Sequence, residues 1–486
     1  MLHLQLDRQR SHHPYYLQIM EQIRGAILAG HVSRGFQLPP SRQLAIELGI
    51  ARRTVVLAYE ELCAQGYCES QVGKGTSVAD VALLHVAPLE HRTTTGLPQW
   101  LVGKTPRSAV PEGEWQPTLN DKSISPQQSL ICFTPSLAQT NLLPLKAMQK
   151  AFQTVMQTAS IHLQGYEKNN GHPELLDAIC HHVLSNRGIT TSPDQILITN
   201  GSLHSSYLLA ELFTPHGGGL SYGVPGYLPI SRNFIKKGIQ GIPCAVDTDG
   251  ICLTEAAHLA RFHYVMPEHH FPTGVTLSPE RRGLLLQLAS QQDALIIEDD
   301  YDSEFYFNRH PLPALKAAEY NERVIYLGTF SKTLFNGLRV GYIIAHPEII
   351  QQLMDLRWQM DGGTSLILQL WLAELLKSGT IDHHLRRMRV HHRKKRDLIA
   401  QYLHRGFPHW QWQPPTGGLQ FWIKLPSEQS ALRVVQQCRA LGVNVFSGHH
   451  YYSSECKQER DHLILGFGTV TEQQIHQAFS QLKNLP

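Results

Sequence analysis

The chain has 486 residues, of which 42% are hydrophobic and 17% charged, and its formal net charge is +3. This composition is typical of a soluble globular protein, and the length implies two or three domains. No apolar run is long enough to span a membrane, and the N-terminus lacks the apolar core of a signal peptide. The eight cysteines are scattered without a Cys-x-x-Cys pair, which favours reduced thiols in a cytoplasm over disulfides or zinc. We therefore expect a cytoplasmic protein without a metal site.

The first eighty residues have the pattern of a winged helix-turn-helix. Apolar side chains spaced by four residues predict a first helix that ends near Gly30, and Ser41 and Gly49 suit the two ends of a short second helix. A third helix follows a tight turn. Residues 66–72 and 76–78 then predict a β-hairpin around a Gly-Lys-Gly turn. The inward positions of the first and third helices are Tyr15, Ile19, Ile23, Ile27, Val55, Ala58, Tyr59 and Leu62.

Basic side chains in this domain lie where a DNA duplex would meet it. Residues 1–80 contain eight Lys or Arg and seven Asp or Glu, so the amount of charge does not identify a partner. Their placement is more informative, because they stand at the helix starts and the wing tip, which reach base edges and phosphates of double-stranded DNA. The candidate DNA-binding residues are Arg42, Arg52, Arg53, Thr54 and Lys74. A helical domain that makes protein contacts is the alternative.

Three spaced segments, residues 37–45, 51–55 and 73–76, resemble the GntR family of DNA-binding domains. The resemblance spans residues 1–80 and implies binding to an operator. It departs from the family at Ala51, where a Ser or Thr often bonds a DNA phosphate. We expect some loss of backbone contact there, without loss of DNA binding.

A change in composition separates this domain from the rest of the chain. Residues 81–127 hold Pro, Thr, Ser, Gly and Gln with little periodicity and predict an interdomain linker. Residues 128–486 alternate short apolar strands with helices, which predicts an α/β domain with a largely parallel sheet. Ligands in such sheets bind at the carboxyl ends of the strands. The predicted strands are residues 195–199, 262–265, 294–297 and 324–327, and the predicted helices include residues 173–183 and 279–291.

Lys332 follows one of these buried strands, with hydroxyls at Thr329 and Ser331 and a guanidinium at Arg339. A lysine beside a buried strand is costly unless it has a partner or a covalent role. Hydroxyls and an arginine nearby suit a phosphate, because arginine offers a planar fork of donors. Together they indicate a lysine that forms a Schiff base with a phosphorylated aldehyde, pyridoxal 5'-phosphate (PLP). On this stretch alone an ordinary surface loop is an equal alternative.

Three other turns carry side chains that suit the same cofactor. Gly201 and Ser202 enter a helix, whose free N–H groups and positive dipole end favour a phosphate. Tyr227 could cover one face of a flat ring. Asp299, in a run of acids after an apolar strand, could hold a pyridine nitrogen protonated, the charge that makes PLP an electron sink. A magnesium site is the alternative for these acids, and the lack of a phosphate-loop motif disfavours it.

Residues 298–305 and 328–332 carry a second resemblance, to fold-type I aminotransferase-like PLP domains. Such a domain behind a GntR-type domain resembles the MocR (GabR-like) subfamily of bacterial transcription regulators. The resemblance implies that Lys332 forms the Schiff base, that Asp299 pairs with the pyridine nitrogen and that Tyr301 bonds the phenolic oxygen. It also implies phosphate binding by Thr329, Ser331, Arg339, Gly201 and Ser202, and ring stacking by Tyr227.

Two departures from the aminotransferase pattern bear on function. Phe271 stands where aminotransferases have the Asn of Asn-Pro-x-Gly, and His270 beside it is the candidate to replace that amide. Ile464 stands where amino-acid-binding members carry an arginine that grips the substrate carboxylate, and Arg232 is the first candidate to replace it. The first departure argues against efficient transamination and not against cofactor binding. The second implies that another residue supplies the charge, or that the effector is not an α-amino acid bound in that way. PLP itself becomes one option for the signal.

These observations predict a cytoplasmic, homodimeric, PLP-dependent transcription regulator. The homodimer is implied by the resemblance, because fold-type I proteins share sites between subunits. The aminotransferase-like domain is expected to sense PLP or a small amine or amino-acid ligand. Coupling to DNA requires that the ligand favour one domain arrangement over another. The alternative is a working aminotransferase with an accessory DNA-binding domain.

Overall fold

The computed structural model describes residues 4, 6, 15–28, 31–64, 67–71, 75–79, 130–158, 169–307, 311–319, 322–452 and 461–485. The chain divides into two compact units, Met1–Ala109 and Val110–Pro486. Lys74 and the predicted linker, residues 81–127, lie outside the described residues. Within the described ranges, none of the helices has both the length and the apolar character needed to cross a membrane.

The N-terminal unit consists of three helices and a β-hairpin. Helices α1 (Tyr15–Leu28), α2 (Ser41–Leu48) and α3 (Arg52–Ala64) precede strands β1 (Cys68–Gln71) and β2 (Gly75–Val78), which pair antiparallel. The inward faces of α1 and α3 form the core, where Ile19, Ile23, Val55 and Leu62 are fully buried. This is the winged helix-turn-helix that the sequence predicts.

The two ends of α2 differ in how well the sequence predicted them. Gly49 adopts the left-handed conformation (φ 66°) and its N–H bonds to carbonyls of the last helical turn, as expected of a glycine at this end. Ser41 is not the N-cap, because Pro40 takes that position and Ser41 is the first helical residue. The Ser41 hydroxyl instead accepts a hydrogen bond from Nε of Arg52 (3.3 Å), which ties the start of α2 to the start of α3.

The C-terminal unit contains strands β3 to β16 and helices α4 to α14, numbered in chain order. The strands are β3 (Ile131–Cys132), β4 (Ile196–Thr199), β5 (Gly219–Val224), β6 (Gln240–Asp247), β7 (Gly250–Ile251), β8 (Phe262–Val265), β9 (Leu295–Asp300), β10 (Val324–Thr329), β11 (Gly341–Ile344), β12 (Gln411–Trp412), β13 (Gln420–Lys424), β14 (Val443–Asn444), β15 (Phe446–Ser447) and β16 (His462–Gly466). The helices are α4 (Leu145–Thr158), α5 (Pro173–Arg187), α6 (Ser202–Phe213), α7 (Leu228–Lys236), α8 (Pro279–Gln291), α9 (Leu315–Ala318), α10 (Pro347–Asp361), α11 (Leu366–Lys377), α12 (Thr380–Gly406), α13 (Ala431–Ala440) and α14 (Glu472–Gln481).

An eight-stranded sheet, with strand order β4-β11-β10-β9-β8-β5-β6-β7, forms the centre of this unit. Strands β10, β9, β8, β5 and β6 run parallel, whereas β11 runs antiparallel to both of its neighbours and β7 to β6. All four strands predicted from the sequence lie in this sheet, as β4, β8, β9 and β10. Ile196 and Ile198 of β4 join one hydrophobic cluster and Leu197 another, so both faces are buried and the strand is a continuous apolar run.

A smaller antiparallel sheet, β12-β13-β16-β15, lies in the C-terminal part of the unit. The short strand β3 pairs with β14, and the N–H of Gly466 bonds to the carbonyl of Phe133 (2.9 Å). These contacts hold the loop after β3, which contains Ser136, beside the C-terminal strands. The fold thereby brings segments that are distant in the sequence, among them the loop after β3, to the ends of β9 and β10.

Candidate cofactor-binding site

The three acids that end β9 point to alternate faces of the sheet, and two of them have structural partners. Glu298 accepts hydrogen bonds from the first two N–H groups of α9, both at 2.9 Å. Asp300 accepts a hydrogen bond from the Tyr326 hydroxyl (2.9 Å) and pairs with Nε of Arg187 (2.5 Å). Burial is the largest influence and acts to raise the pKa of Asp300, but the Arg187 guanidinium and the hydrogen bonds to the carboxylate together hold that pKa below its ordinary value. Glu298 and Asp300 therefore serve the fold.

Asp299 points to the other face and lines a cavity of about 450 Å³. Its Oδ2 accepts a hydrogen bond from the Tyr264 hydroxyl (2.8 Å). Its Oδ1 is buried and has no hydrogen-bond partner in the part of the chain that the structure describes. Burial is the main cause that raises the pKa of Asp299 to about 7. A buried oxygen without a donor is costly, so Oδ1 suits a ligand that brings a protonated nitrogen.

The cavity collects most of the cofactor-binding residues that the sequence predicts. Its lining includes Ser202, Tyr227, Asp299, Tyr301, Thr329, Ser331, Lys332 and Arg339. Gly201, the remaining candidate, precedes Ser202 and packs against the guanidinium of Arg339. Other parts of the wall come from segments that the sequence did not single out, among them Ser136, Met266, Asn336, Phe446, Ser447, His450 and Tyr451.

Lys332 lies just after β10, and its amine is withdrawn from water. Nζ donates a hydrogen bond to the carbonyl of Ser136 (2.5 Å). Burial lowers the pKa of Lys332 to about 8, while the carboxylates of Asp302 and Asp299 act in the opposite direction. An ordinary lysine has a pKa of about 10.4, so a larger share of Lys332 is neutral near pH 7. Only the neutral amine is nucleophilic, as attack on an aldehyde requires.

Asp302 and His269 form a second buried pair beside the cavity, and no motif in the sequence indicates a role for either residue. Their Oδ1 and Nδ1 atoms are 2.8 Å apart. Burial alone would lower the pKa of His269, but Asp302 overcomes this and raises it. A Cβ on Gly417 would lie 2.2 Å from Nε2 of His269, so only glycine lets the backbone close over the imidazole. The pair fixes the segment that carries Tyr301.

Arg339 and Gly201 form one corner of the cavity with three hydroxyl side chains. Nη2 of Arg339 donates to a backbone carbonyl of the adjoining loop (2.7 Å), and a Cβ on Gly201 would lie 2.8 Å from the same nitrogen. Gly201 has φ 94°, a conformation that favours glycine. Ser202 begins α6, whose first N–H groups have no helical partners, and the hydroxyls of Thr329 and Ser331 are 3.0 Å apart. A cation, a helix N-terminus and hydroxyls together suit a phosphate.

Aromatic rings form another part of the wall. Phe271 meets Tyr227, Tyr301 and Tyr451 edge to face, with ring centroids 6.0, 6.2 and 5.0 Å apart. The Tyr301 hydroxyl accepts a hydrogen bond from Nε2 of Gln420 (3.4 Å). Phe271 fills the position of the aminotransferase amide with a ring that has no donor. A flat cofactor here would meet aromatic rings and the hydroxyl of Tyr301.

Neither effector candidate is among the residues that line the cavity. The imidazole of His270 is buried, its Nε2 donates to the carbonyl of Pro225 (2.8 Å), and burial lowers its pKa to about 4. His270 is therefore neutral and turned away, so it does not replace the missing amide. Arg232 lies on α7, half-buried and outside the lining. Ile464 is fully buried in β16, opposite Trp422 and Phe446 in the strand register.

In the N-terminal unit, the structure describes four of the five candidate DNA-binding residues. Arg42, Arg52 and Arg53 are exposed, and Thr54 is half-buried. They stand in the first turns of α2 and α3, where the Ser41–Arg52 hydrogen bond joins the two helices. Three exposed guanidinium groups on adjacent helix starts suit the phosphates and base edges of a duplex.

Comparison with known proteins assigns both units. Residues 134–482 match the family described as aminotransferase class I and II, and residues 15–78 match the bacterial regulatory proteins of the gntR family. The probable rhizopine catabolism regulatory protein MocR of Rhizobium meliloti is 32% identical over 398 residues, 82% of this chain and 78% of that protein. The HTH-type pyridoxine biosynthesis transcriptional regulator PdxR of Corynebacterium glutamicum is 29% identical over 469 residues, 96% of this chain and 95% of that protein.

A solved structure shares the fold of the C-terminal unit. It is LysN, the alpha-aminoadipate aminotransferase of Thermus thermophilus, complexed with N-(5'-phosphopyridoxyl)-L-leucine. The TM-score is 0.66 at 25% identity, over 73% of this chain and 91% of that one.

The cofactor of this domain is pyridoxal 5'-phosphate, and the residues of the cavity fit it. The unpaired Oδ1 of Asp299 suits the pyridine nitrogen, the amine of Lys332 suits the aldehyde, and the corner at Gly201 and Arg339 suits the phosphate. The same chain carries an N-terminal DNA-binding domain of the gntR type. The chain belongs to the MocR subfamily of GntR-family transcription regulators, which join such a domain to a fold-type I aminotransferase domain.

Proposed function

We propose that this regulator binds operator DNA as a homodimer in the cytoplasm and changes its DNA affinity when its PLP domain is loaded or meets a small amine or amino acid. The proposed domains are residues 1–80 for DNA, 81–127 as a linker and 128–486 for PLP. One observation carries the proposal. A lysine with a lowered pKa and an aspartate with an unpaired oxygen share a cavity in a chain that also has a DNA-binding domain.

Each of the predicted cofactor-binding residues has a proposed task in holding the cofactor. PLP, when bound, supplies an aldehyde that captures amines and a pyridinium ring that withdraws electrons. Lys332 offers its neutral amine to the aldehyde, and Asp299 keeps the ring nitrogen protonated. Tyr301 bonds the phenolic oxygen, and Tyr227 stacks on the ring. The phosphate is held by Thr329, Ser331, Arg339, Ser202 and the backbone at Gly201.

The aromatic wall favours a sensor over an efficient enzyme. Phe271 offers no hydrogen bond to the phenolic oxygen, so the bond proposed there is the one from Tyr301, whose ring Phe271 meets edge to face. Ile464 is apolar and buried, so the strand that would grip a substrate carboxylate has no cation at this position. An aminotransferase with an accessory DNA-binding domain is the second candidate. Turnover of an amino acid with a keto acid would favour it.

The proposal predicts that the state of the cavity changes DNA affinity. Operator sequences are first selected from a random DNA library with the full-length protein, and affinities are then measured for the PLP-free and PLP-loaded forms, with and without candidate amines. We expect a change of about 5- to 150-fold, the usual range for coupling between two sites. Equal DNA affinity in every state would contradict the proposed sensor function, because the PLP domain would then have no effect on DNA binding.

An apolar stripe on α4 supports the proposed homodimer. Leu145, Phe152 and Met156 share one face of the helix and are 58%, 43% and 46% exposed, beside a neighbouring face that is buried. Exposed apolar side chains in a row commonly mark an interface. Such a stripe suits the same stripe on a second copy of the chain.

We expect Phe152→Glu combined with Met156→Glu to convert a dimer to a monomer, because charged groups would be buried without partners in the interface. Sedimentation velocity on the full chain measures the change, and circular dichroism checks that the fold persists. Leu432→Glu is the matched control, since Leu432 is 52% exposed on α13 outside the stripe. A dimer that survives the double substitution would place the interface elsewhere.

A further inference from the structure

Tyr264 makes the only hydrogen bond to the carboxylate of Asp299 that the described residues provide. It lies on β8, where it is opposite Ile297 of β9, and Ile297 and Asp299 share one face of the sheet. The Tyr264 side chain is therefore on the same face of the sheet as the Asp299 side chain and close to it. Its hydroxyl donates to Oδ2 at 2.8 Å, and only 3% of the residue is exposed.

This bond acts on both the orientation and the charge of the carboxylate. The terminal torsion of an aspartate is broad, so a carboxylate with no fixed partner turns between orientations. A donor on Oδ2 fixes the group and leaves Oδ1 as the acceptor without a partner beside the cavity. A hydroxyl that donates to a carboxylate also stabilises its ionised form. Both effects favour an ionic contact with a protonated ring nitrogen.

We infer that Tyr264 is a positioning residue, which holds Asp299 ionised and oriented so that Oδ1 meets the pyridine nitrogen of PLP. The inference rests on the proposed role of Asp299. Tyr264 does not line the cavity, so it acts on the cofactor only through that carboxylate.

The groups that face Asp299 determine how this contact depends on pH. Burial is the largest influence on the pKa of Asp299 and raises it. The carboxylates of Asp300 and Asp302 raise this pKa further, whereas Tyr264 and Lys332 lower it, and the result is about 7. A protonated ring nitrogen needs the ionised carboxylate, so cofactor affinity should fall as the pH drops through that value. Without the Tyr264 hydroxyl the pKa of Asp299 rises, and the fall should begin at a higher pH.

The neighbouring acid provides a matched control. Tyr326, on β10, donates to Oδ2 of Asp300 at 2.9 Å, and it is as buried as Tyr264, at 3%. It is opposite Glu298 in the strand register, so its bond lies on the other face of the sheet. Tyr326→Phe thus removes a buried hydroxyl from the neighbouring acid and leaves the cavity wall intact.

PLP titrations of the PLP-free full-length protein, read by absorbance between pH 6 and pH 9, test the inference. We expect Tyr264→Phe to weaken PLP binding about tenfold near pH 7, the usual effect of a lost hydrogen bond to a charged group. The deficit should shrink as the pH rises. Tyr326→Phe should match the unmodified protein at every pH.

Other outcomes distinguish the role of Tyr264 from the proposed role of Asp299 in binding PLP. If Tyr264→Phe matches the unmodified protein, or is weakened equally at every pH, the positioning role is wrong. If Asp299→Asn also leaves PLP binding unchanged, the assignment of Asp299 itself fails. Should Tyr264→Phe not fold, a fluorinated tyrosine at position 264, which is a stronger donor of nearly the same size, should tighten binding. Unchanged or weaker binding by that protein would overturn the inference.

Discussion

Lys332→Ala is expected to abolish the visible absorbance that a lysine-bound PLP gives the protein. The reaction with the aldehyde needs a neutral amine, and the described cavity wall offers no other lysine. Because the pKa of Lys332 is about 8, about one molecule in ten carries a neutral amine at pH 7. Capture of PLP should therefore accelerate as the pH rises through about 8 and level off above it. Mixing at a series of pH values, followed by absorbance, measures both effects.

The control for this experiment is a lysine remote from the cavity. Lys377 is exposed on α11 and pairs with Glu174, so Lys377→Ala should keep the absorbance and its pH dependence. Borohydride treatment and peptide mapping then identify the labelled lysine. A label that persists in Lys332→Ala, at the same stoichiometry, would show that another lysine captures the aldehyde.

The sequence predicted the strands whose residues are buried on both faces. The predicted short apolar strands correspond to β4, β8, β9 and β10, and their observed ends lie within three residues of the predicted ones. Strand β9 continues past its apolar part into the three acids. The sequence did not reveal β5 or β6. Strand β5 contains Gly219 and Gly223, which break an apolar run, yet a Cβ on Gly223 would lie 2.4 Å from the ring of His270. Tertiary packing requires glycine in a strand that local preference does not indicate.

The site was predictable where a motif places its residues at short spacing. The end of β10 and the segment after it carry Thr329, Ser331, Lys332 and Arg339, and Asp299 lies at the end of β9. Strands β9 and β10 are parallel neighbours, so their ends bring these residues together. Tyr451 and the loop at Ser136 reach the cavity only through long-range pairing, to which no local pattern points.

His270 shows a second limit of reasoning from the sequence. Spacing places a residue near a site without giving the direction of its side chain. His269 turns to Asp302 and His270 to the Pro225 carbonyl, so adjacent histidines serve two different contacts, and neither replaces the missing amide.

Arg52→Ala combined with Arg53→Ala is expected to remove specific DNA binding. Both guanidinium groups are exposed at the first turn of α3, the part of a recognition helix that reaches base edges. A good bidentate contact to a base contributes about 1–3 kcal/mol, so losing two weakens operator binding by at least about thirtyfold. Fluorescence anisotropy with the selected operator measures the loss. Since the apolar core of the unit is untouched, the melting temperature should stay close to that of the unmodified protein.

The two arginines should differ when they are changed singly. Arg52 also donates to the hydroxyl of Ser41, so Arg52→Ala loosens the junction of α2 and α3, whereas Arg53→Ala removes only an exposed group. We expect Ser41→Ala to reproduce part of the Arg52→Ala defect and none of the Arg53→Ala defect. Arg24→Ala on α1 removes the same charge from the domain outside these helix starts and is the control for non-specific attraction. If Arg24→Ala weakens binding as much as Arg53→Ala does, α3 is not the recognition helix, and total charge, rather than its placement at the helix starts, holds the DNA.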